Sequence, residues 1–301
     1  MSDQEQLAAA GPAEEITLAA RRKRGKFATA MYELGKAPIT AKFGLLMIVI
    51  YLILAVFAPL IAPYGESEVV GRQYEPWGDF MLGTDQIGRD MLSRLIYGAR
   101  NSVSIAFITT VIAFLLGSVV GLISACVGGW MDLGLGRFVD TLMAIPSLIF
   151  TLVLLTIFGT DLITLILVIA IFDATRVYRL CRAVAVNIVV MDFVEAARLQ
   201  GEKLPWIMAR EVLPNILPPL AAEFGMRFCF VFLTIAALSF LGLGIQPPTA
   251  DWGSMVRENA TLINYGDITP LLPAAAIALL TVSVNFVVDW FLHKTSGLRD
   301  V

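Results

Sequence analysis

Glu195, Ala196, Ala197 and Gly201, with Leu213-Pro214 twelve residues beyond the glycine, are the residues whose spacing most invites a function. They lie in a polar, arginine-rich insert between long apolar runs. From Val186 to Arg198 an apolar side recurs at helical spacing through Ile188, Val189, Phe193, Ala196 and Ala197, with Asp192 and Glu195 among them. Gly201 follows within a turn, and glycine takes left-handed dihedrals at little steric cost, so a helix stop is predicted there. Leu204-Pro205-Trp206 restarts the chain, and Leu213-Pro214 carries it back toward the apolar runs. The expected product is a helix-turn-helix along a bilayer surface, with a short helix turned to the water. Its chemistry is docking onto another protein, although a helix that merely connects two spans has the same local pattern.

Catalytic chemistry is poorly provided for. The one histidine, His293, falls at the end of the last apolar run, too far out for an intramembrane enzyme. Cys126, Cys181 and Cys229 lie in or beside apolar runs and read as small hydrophobes, since an odd, scattered set is no disulfide framework. Neither Gly25-Lys26 nor Gly35-Lys36 has the upstream glycine or the following Ser/Thr of a phosphate-binding loop. The chain reads as non-enzymatic, with no catalytic residue, no metal site and no cofactor of its own.

The elements that must position the insert span a membrane. Of 301 residues, 57% are hydrophobic and only 16% charged, against about 25% charged in soluble domains. A spanning helix needs about 20 apolar residues. The runs 44–64, 101–130, 141–160 and 268–288 meet that length, and 228–250, starting near Pro218, is equally long. The run 162–172 reaches spanning length only by extending past Asp173 and Arg176. Six helices are expected in an all-α membrane protein. The first run begins too late and lacks the cleavage site of a signal peptide. The expected divisions are a tail at 1–41, a first span at 42–64, an outer segment at 65–100, a five-helix core at 101–292 and a tail at 293–301. The core includes an inner loop at 178–216.

Lysine and arginine set the orientation. With both termini inside, seventeen basic residues fall inside and only Arg72, Arg89, Arg94, Arg100 and Arg257 fall outside. Trp77 and Trp252 then anchor the outer interface, and Trp130, Trp206 and Trp290 the inner one. The surrounding partner is membrane lipid, not nucleic acid.

The insert resembles the cytoplasmic coupling loop of permease subunits in bacterial ATP-driven importers, on Glu195, Ala196, Ala197, Gly201, Leu213 and Pro214. Glu211 stands where that family commonly has an apolar residue or histidine, and Val212 could supply the missing contact. Leu82-Gly83-Thr84-Asp85-Gln86-Ile87-Gly88-Arg89-Asp90 through Tyr97-Gly98-Ala99-Arg100 is similar to the segment after the first span of dipeptide and oligopeptide permeases. Leu238-Ser239-Phe240-Leu241-Gly242-Leu243-Gly244 through Pro247-Pro248 and Asp251-Trp252-Gly253 looks like the end of their fifth span. The match is to the shorter C-type subunit. It implies the fold of type I ABC importer permeases and a place in the bacterial inner membrane. It also implies a heterodimer with a second permease, two ATP-binding subunits or domains, and a substrate-binding protein. Di- or oligopeptides are the implied solutes, with nickel chelates, glutathione and other peptide-like solutes carried by relatives of the same appearance. No residue is assigned to the solute.

Several stretches also have plainer readings. Asp85 to Arg100 alternates charge and glycine outside the bilayer, which suits either an ion-pair cluster stiffening the loop or contact with substrate or binding protein. Gly242 and Gly244 would allow close helix approach, with Pro247-Pro248 stopping the helix. Asp140, Asp173, Glu223, Arg227 and Asp289 are expected toward helix ends, and Asn285 is expected to hydrogen-bond between helices. An ion-coupled secondary transporter, the alternative, would want buried acids or broken helices at the midplane. Ala144-Ile145-Pro146-Ser147 is the one candidate break.

Overall fold

The structure, a computed structural model, describes residue 35 and residues 37–295. The tail at 1–41 is therefore covered only at its end. Arg21, Arg22, Lys23, Arg24, Lys26, Lys36 and Arg299, which enter the orientation argument, lie outside the described residues. Ten α-helices follow in order: α1 Ile39–Ile61, α2 Met91–Val127, α3 Gly129–Met143, α4 Ser147–Phe158, α5 Leu162–Val189, α6 Asp192–Leu199, α7 Leu204–Ile207, α8 Leu213–Phe240, α9 Trp252–Asn259 and α10 Leu271–Thr295. A π-helical turn, Met208–Val212, joins α7 to α8, and the 3-10 turn Ala260–Tyr265 follows α9. Among the described residues, β structure is limited to isolated bridges.

The central crossing is α2 on α5. It is set by Gly117 and Gly121, a small-xxx-small pair that lets two backbones meet without side chains between them. A Cβ on Gly117 would sit 2.5 Å from the Ala174 carbonyl oxygen and 2.6 Å from Val177 Cβ. A Cβ on Gly121 would sit 2.9 Å from Cys181 Cβ. Backbone cannot yield as a rotamer does. Gly117→Val is therefore expected to cost on the order of 1–3 kcal/mol through overpacking and to lower both membrane abundance and the thermal unfolding midpoint. Gly134→Ala, where a Cβ meets nothing within 4 Å, is the control. A wild-type midpoint for the Gly117 variant would exclude so close a crossing.

Two apolar clusters hold the ends of the bundle. One gathers Tyr51, Met91, Phe232 and Trp252 from α1, α2, α8 and α9. Trp252 is its centre, edge-on to Tyr51 at 5.5 Å and donating Nε1–H to the Leu95 carbonyl at 2.9 Å. The other, at the α6 end, gathers Cys126, Cys181, Val194, Ala197, Val212 and Ile216. All three cysteines are buried and free.

Helix boundaries correct the expectations in four places. The run 141–160 is not one straight span: α3 and α4 meet at 86°, because Pro146 disfavours helical dihedrals at Ile145. Among the described residues, four helices are long and apolar enough to cross a membrane, or up to five if that bent pair is one span. The fourth expected span, α5, is 28 residues long but contains Asp173, Arg176, Arg179 and Arg182. The run 228–250 is helical only to Phe240. Gly242 lies beyond that helix at φ +89°, its N–H bonded to the Ser239 carbonyl at 3.1 Å and the Leu243 N–H to Leu238 at 2.9 Å. It ends α8 by a left-handed cap instead of packing mid-helix, and Pro247-Pro248 comes too late to stop it. Val186–Arg198 is two helices, α5 and α6, with Met191 extended between them at ψ 149°. Asp192 and Glu195 fall in the first turn of α6, where acids favour a helix start. Finally, α2 begins at Met91 inside the outer segment, with the Asp90 side chain accepting the Ser93 N–H at 2.7 Å.

Candidate functional site

The insert folds as a clamp. In α6, Val194 and Ala197 are buried in the second apolar cluster, while Glu195, Ala196 and Leu199 face out. Arg198 reaches back to the end of α2, Nη2–H donating to the Cys126 carbonyl at 3.4 Å. Gly201 has φ +83°. Its N–H bonds the Arg198 carbonyl at 3.0 Å, and the Glu202 N–H bonds Ala197 at 3.1 Å, so two otherwise unpaired carbonyls of the helix end are satisfied. Leu213 packs partly on the same cluster as Ala197, whereas Pro214 is exposed at the start of α8. Val212 is fully buried there and Glu211 is not, so the valine packs into this chain's own core.

Of the six residues singled out, Ala197 and Leu213 thus share one core, while Glu195, Ala196, Gly201 and Pro214 lie on the surface. Around them are exposed apolar side chains that the motif did not name: Val190 and Leu199 are 77% and 83% exposed, and Met191, Phe193 and Trp206 are also exposed. These side chains form an apolar rim on an otherwise polar loop. The π turn beneath it marks the place where Pro214 cannot donate a helical hydrogen bond.

Away from the insert, the charges of the outer segment form a buried cluster. Arg89 Nε lies 2.6 Å from Asp85 Oδ2, and Arg94 Nη1 pairs with the same oxygen. Both arginines also reach Glu258 of α9, at 3.3 and 3.0 Å. Burial opposes the Asp85 charge, but N–H groups of Arg89 and Ile87 and the Arg94 guanidinium hold its carboxyl below the usual range. The ion-pair reading of this stretch is what the geometry shows.

Charges inside the bundle depart from expectation. Asp173 is not toward a helix end: it is buried near the middle of α5, 3.2 Å from Arg176 Nη1 and 3.6 Å from Arg227 Nη1 of α8. Arg227 Nε lies 2.7 Å from Glu223 Oε1 without hydrogen-bond alignment. Asn285 is exposed on α10. The helix does extend past Asp173 and Arg176 as expected, but it runs on to Val189, which leaves Asp173 near its middle.

Long apolar helices, one helix pair bent at a break and a two-helix insert describe a multi-pass membrane protein. Residues 117–294 match the family described as binding-protein-dependent transport system inner membrane component, and residues 40–76 match the N-terminal TM domain of oligopeptide transport permease C. This chain belongs to the first of these families. It is 33% identical over 259 residues to the dipeptide transport system permease protein of Alkalihalophilus pseudofirmus, covering 85% of this chain and 83% of that one. It is 36% identical over 265 residues to the di/tripeptide transport system permease protein of Pseudomonas aeruginosa, covering 85% of each. It is 30% identical over 292 residues to the probable D,D-dipeptide transport system permease protein of Escherichia coli, covering 96% and 95%. The broken span and the buried Asp173 are features an ion-coupled carrier would need, but the family is one that works with a binding protein.

Proposed function

We propose that this chain is the C-type permease of an ATP-driven importer of di- or oligopeptides or peptide-like solutes. It forms half of the pore beside a second permease. Two ATP-binding subunits or domains, which hold ATP and magnesium, drive it from the cytoplasm, and a substrate-binding protein delivers solute from outside. Relatives whose names specify dipeptides or di/tripeptides, matched along most of the chain, support the solute class. The observation that carries the coupling role is α6 itself. Its inner side is fixed in a core shared with α5 and α8, and its outer side offers Glu195 and Ala196 beside the Gly201 turn. Displacement of α6 by closing ATPases is passed through Val194 and Ala197 to Val212 and Ile216, and so to α8 and α5.

The six spans are α1, α2, the bent α3–α4 pair, α5, α8 and α10, with both termini in the cytoplasm. The divisions drawn from the sequence follow: a cytoplasmic tail to residue 41, a periplasmic segment at 65–100, the core at 101–292 with its coupling loop at 178–216, and a cytoplasmic end. Fusions of a reporter active only in the periplasm are expected to be active after Gly71 and after Asn259 and silent after Gln200. Activity at Gln200 would remove both the span count and the coupling role, since that loop must face ATP.

A further inference from the structure

We propose that Arg176 is a binding group for the solute's carboxylate, in a subsite at the break between α3 and α4. This rests on the peptide-importer reading and adds to it a place inside the membrane where the solute is held. A cavity of about 340 Å³ lies at the break, lined by Met143, Ile145, Pro146, Ser147, Phe172 and Arg176. Arg176 is its only charged wall, and its side chain is 34% exposed. The other walls are apolar apart from the Ser147 hydroxyl. Non-helical backbone at membrane depth is tolerated where it is buried in protein or lines a water-filled cavity.

The pairing around Arg176 is loose. Its Nη1 donates to Asp173 Oδ1 at 3.2 Å and its Nη2 to Ser147 Oγ at 3.3 Å. Charge-assisted bonds to carboxylates settle at about 2.7–2.9 Å. Asp173, only 5% exposed, keeps Oδ2 without any partner, and its second cation, Arg227, stays at 3.6 Å. Asp173 is roughly three turns into α5, and Arg227 roughly four turns into α8. Charge at such depth is costly and normally serves a pathway. The outer cluster of Asp85, Arg89, Arg94 and Glu258 also holds a 3.3 Å pair and unpartnered Arg94 nitrogens, but all four of its side chains are enclosed, so exposure to a cavity is what sets Arg176 apart. Arg176 is built differently. Its planar fork is held at Nη1 by Asp173, a positioning residue, and more weakly at Nη2 by the neutral Ser147 hydroxyl, and it lines a small apolar chamber. That combination suits a carboxylate carried on a short, partly apolar solute such as the C-terminal end of a peptide.

The test uses the whole importer, this chain with its second permease and ATPases, purified in detergent for the stability measurement and in liposomes with the binding protein added for uptake and hydrolysis. The probes are the dipeptide Ala-Phe and its C-terminal amide. Wild-type complex is expected to gain thermal stability with the acid and not with the amide. Arg176→Gln should lose that acid-specific shift and lower dipeptide uptake at least tenfold, while hydrolysis stimulated by loaded binding protein stays within twofold. Arg176→Lys, which keeps charge but not the fork, should fall between. An unchanged acid-specific shift in Arg176→Gln would overturn the subsite. So would a fall of hydrolysis in step with uptake, which marks a structural role. If Arg176→Gln does not assemble, Arg176→Lys decides, and full acid-specific binding by it overturns the proposal. Wild-type complex that imports another solute but no dipeptide refutes the peptide reading itself, before any variant is compared.

Discussion

Gly201→Val is expected to abolish coupled uptake while the protein reaches the membrane at wild-type levels. The spans that direct insertion lie elsewhere, so the lesion is confined to the loop. At φ +83° a β-branched residue carries backbone strain on the order of 1–3 kcal/mol. A Cβ on Gly201 would meet nothing within 4 Å, so no clash inside the chain adds to it. The strain acts on the two hydrogen bonds that close α6, from Gly201 to Arg198 and from Glu202 to Ala197. Opening that turn moves Glu195 and Ala196 off the axis fixed by Val194 and Ala197. Gly201→Asn separates two causes, because asparagine accepts left-handed dihedrals. If it restores uptake, turn geometry is what the ATPase requires. If it fails at equal membrane levels, the ATPase surface excludes bulk there. Glu195→Lys keeps the backbone and reverses the exposed charge, and it should also weaken ATPase association and uncouple hydrolysis from uptake. Wild-type uptake by both Gly201→Val and Glu195→Lys would leave the loop as a connector.

Much of this site could be read from residue order, for reasons that differ by element. Gly201 was legible because a left-handed helix end is a one-residue problem with a one-residue solution. The break at Ala144–Ser147 was legible through Pro146 for the same reason. The break between α5 and α6 was not, since Val190 and Met191 carry no glycine or proline signal and the apolar periodicity runs across them. Gly242 was given the wrong task because a glycine that permits close packing and one that caps a helix are alike in sequence. Gly117 and Gly121, four apart inside an apolar run, were the visible packing pair and went unused. The charge clusters were hidden by distance along the chain. Asp173 meets Arg227 and Arg94 meets Glu258 only because α5 packs on α8 and α9 folds against α2. The start of α2 was set too late by charge-free run length, because the paired Arg94 no longer needs water.

The outer cluster gives the largest expected loss of stability. Arg94 is 1% exposed, and its guanidinium faces Asp85 and Glu258, themselves almost fully buried. A buried ion pair is weak evidence of net stabilisation, yet removing one partner strands the others without solvent, at about 3–5 kcal/mol. Arg94→Met, similar in volume, is expected to lose that much, seen as a lower thermal unfolding midpoint in detergent and reduced membrane abundance. Adding Asp85→Asn to it should return part of the loss, because the stranded charge is then gone. Acid should narrow the gap. The Asp85 carboxyl is held below its ordinary value when folded, so its contribution is present above about pH 4, the unfolded range for aspartate. It is lost as pH falls through the lower folded value. Wild type therefore weakens in that window, while the variant has already lost the guanidinium that kept the carboxyl ionised. A deficit of less than about 1 kcal/mol, or one that stays constant from pH 7 to about pH 3, would show that Asp85, Arg94 and Glu258 do not act as one unit. The cluster joins α2 and the segment before it to α9, so Arg94→Met should loosen that junction, with α6 untouched.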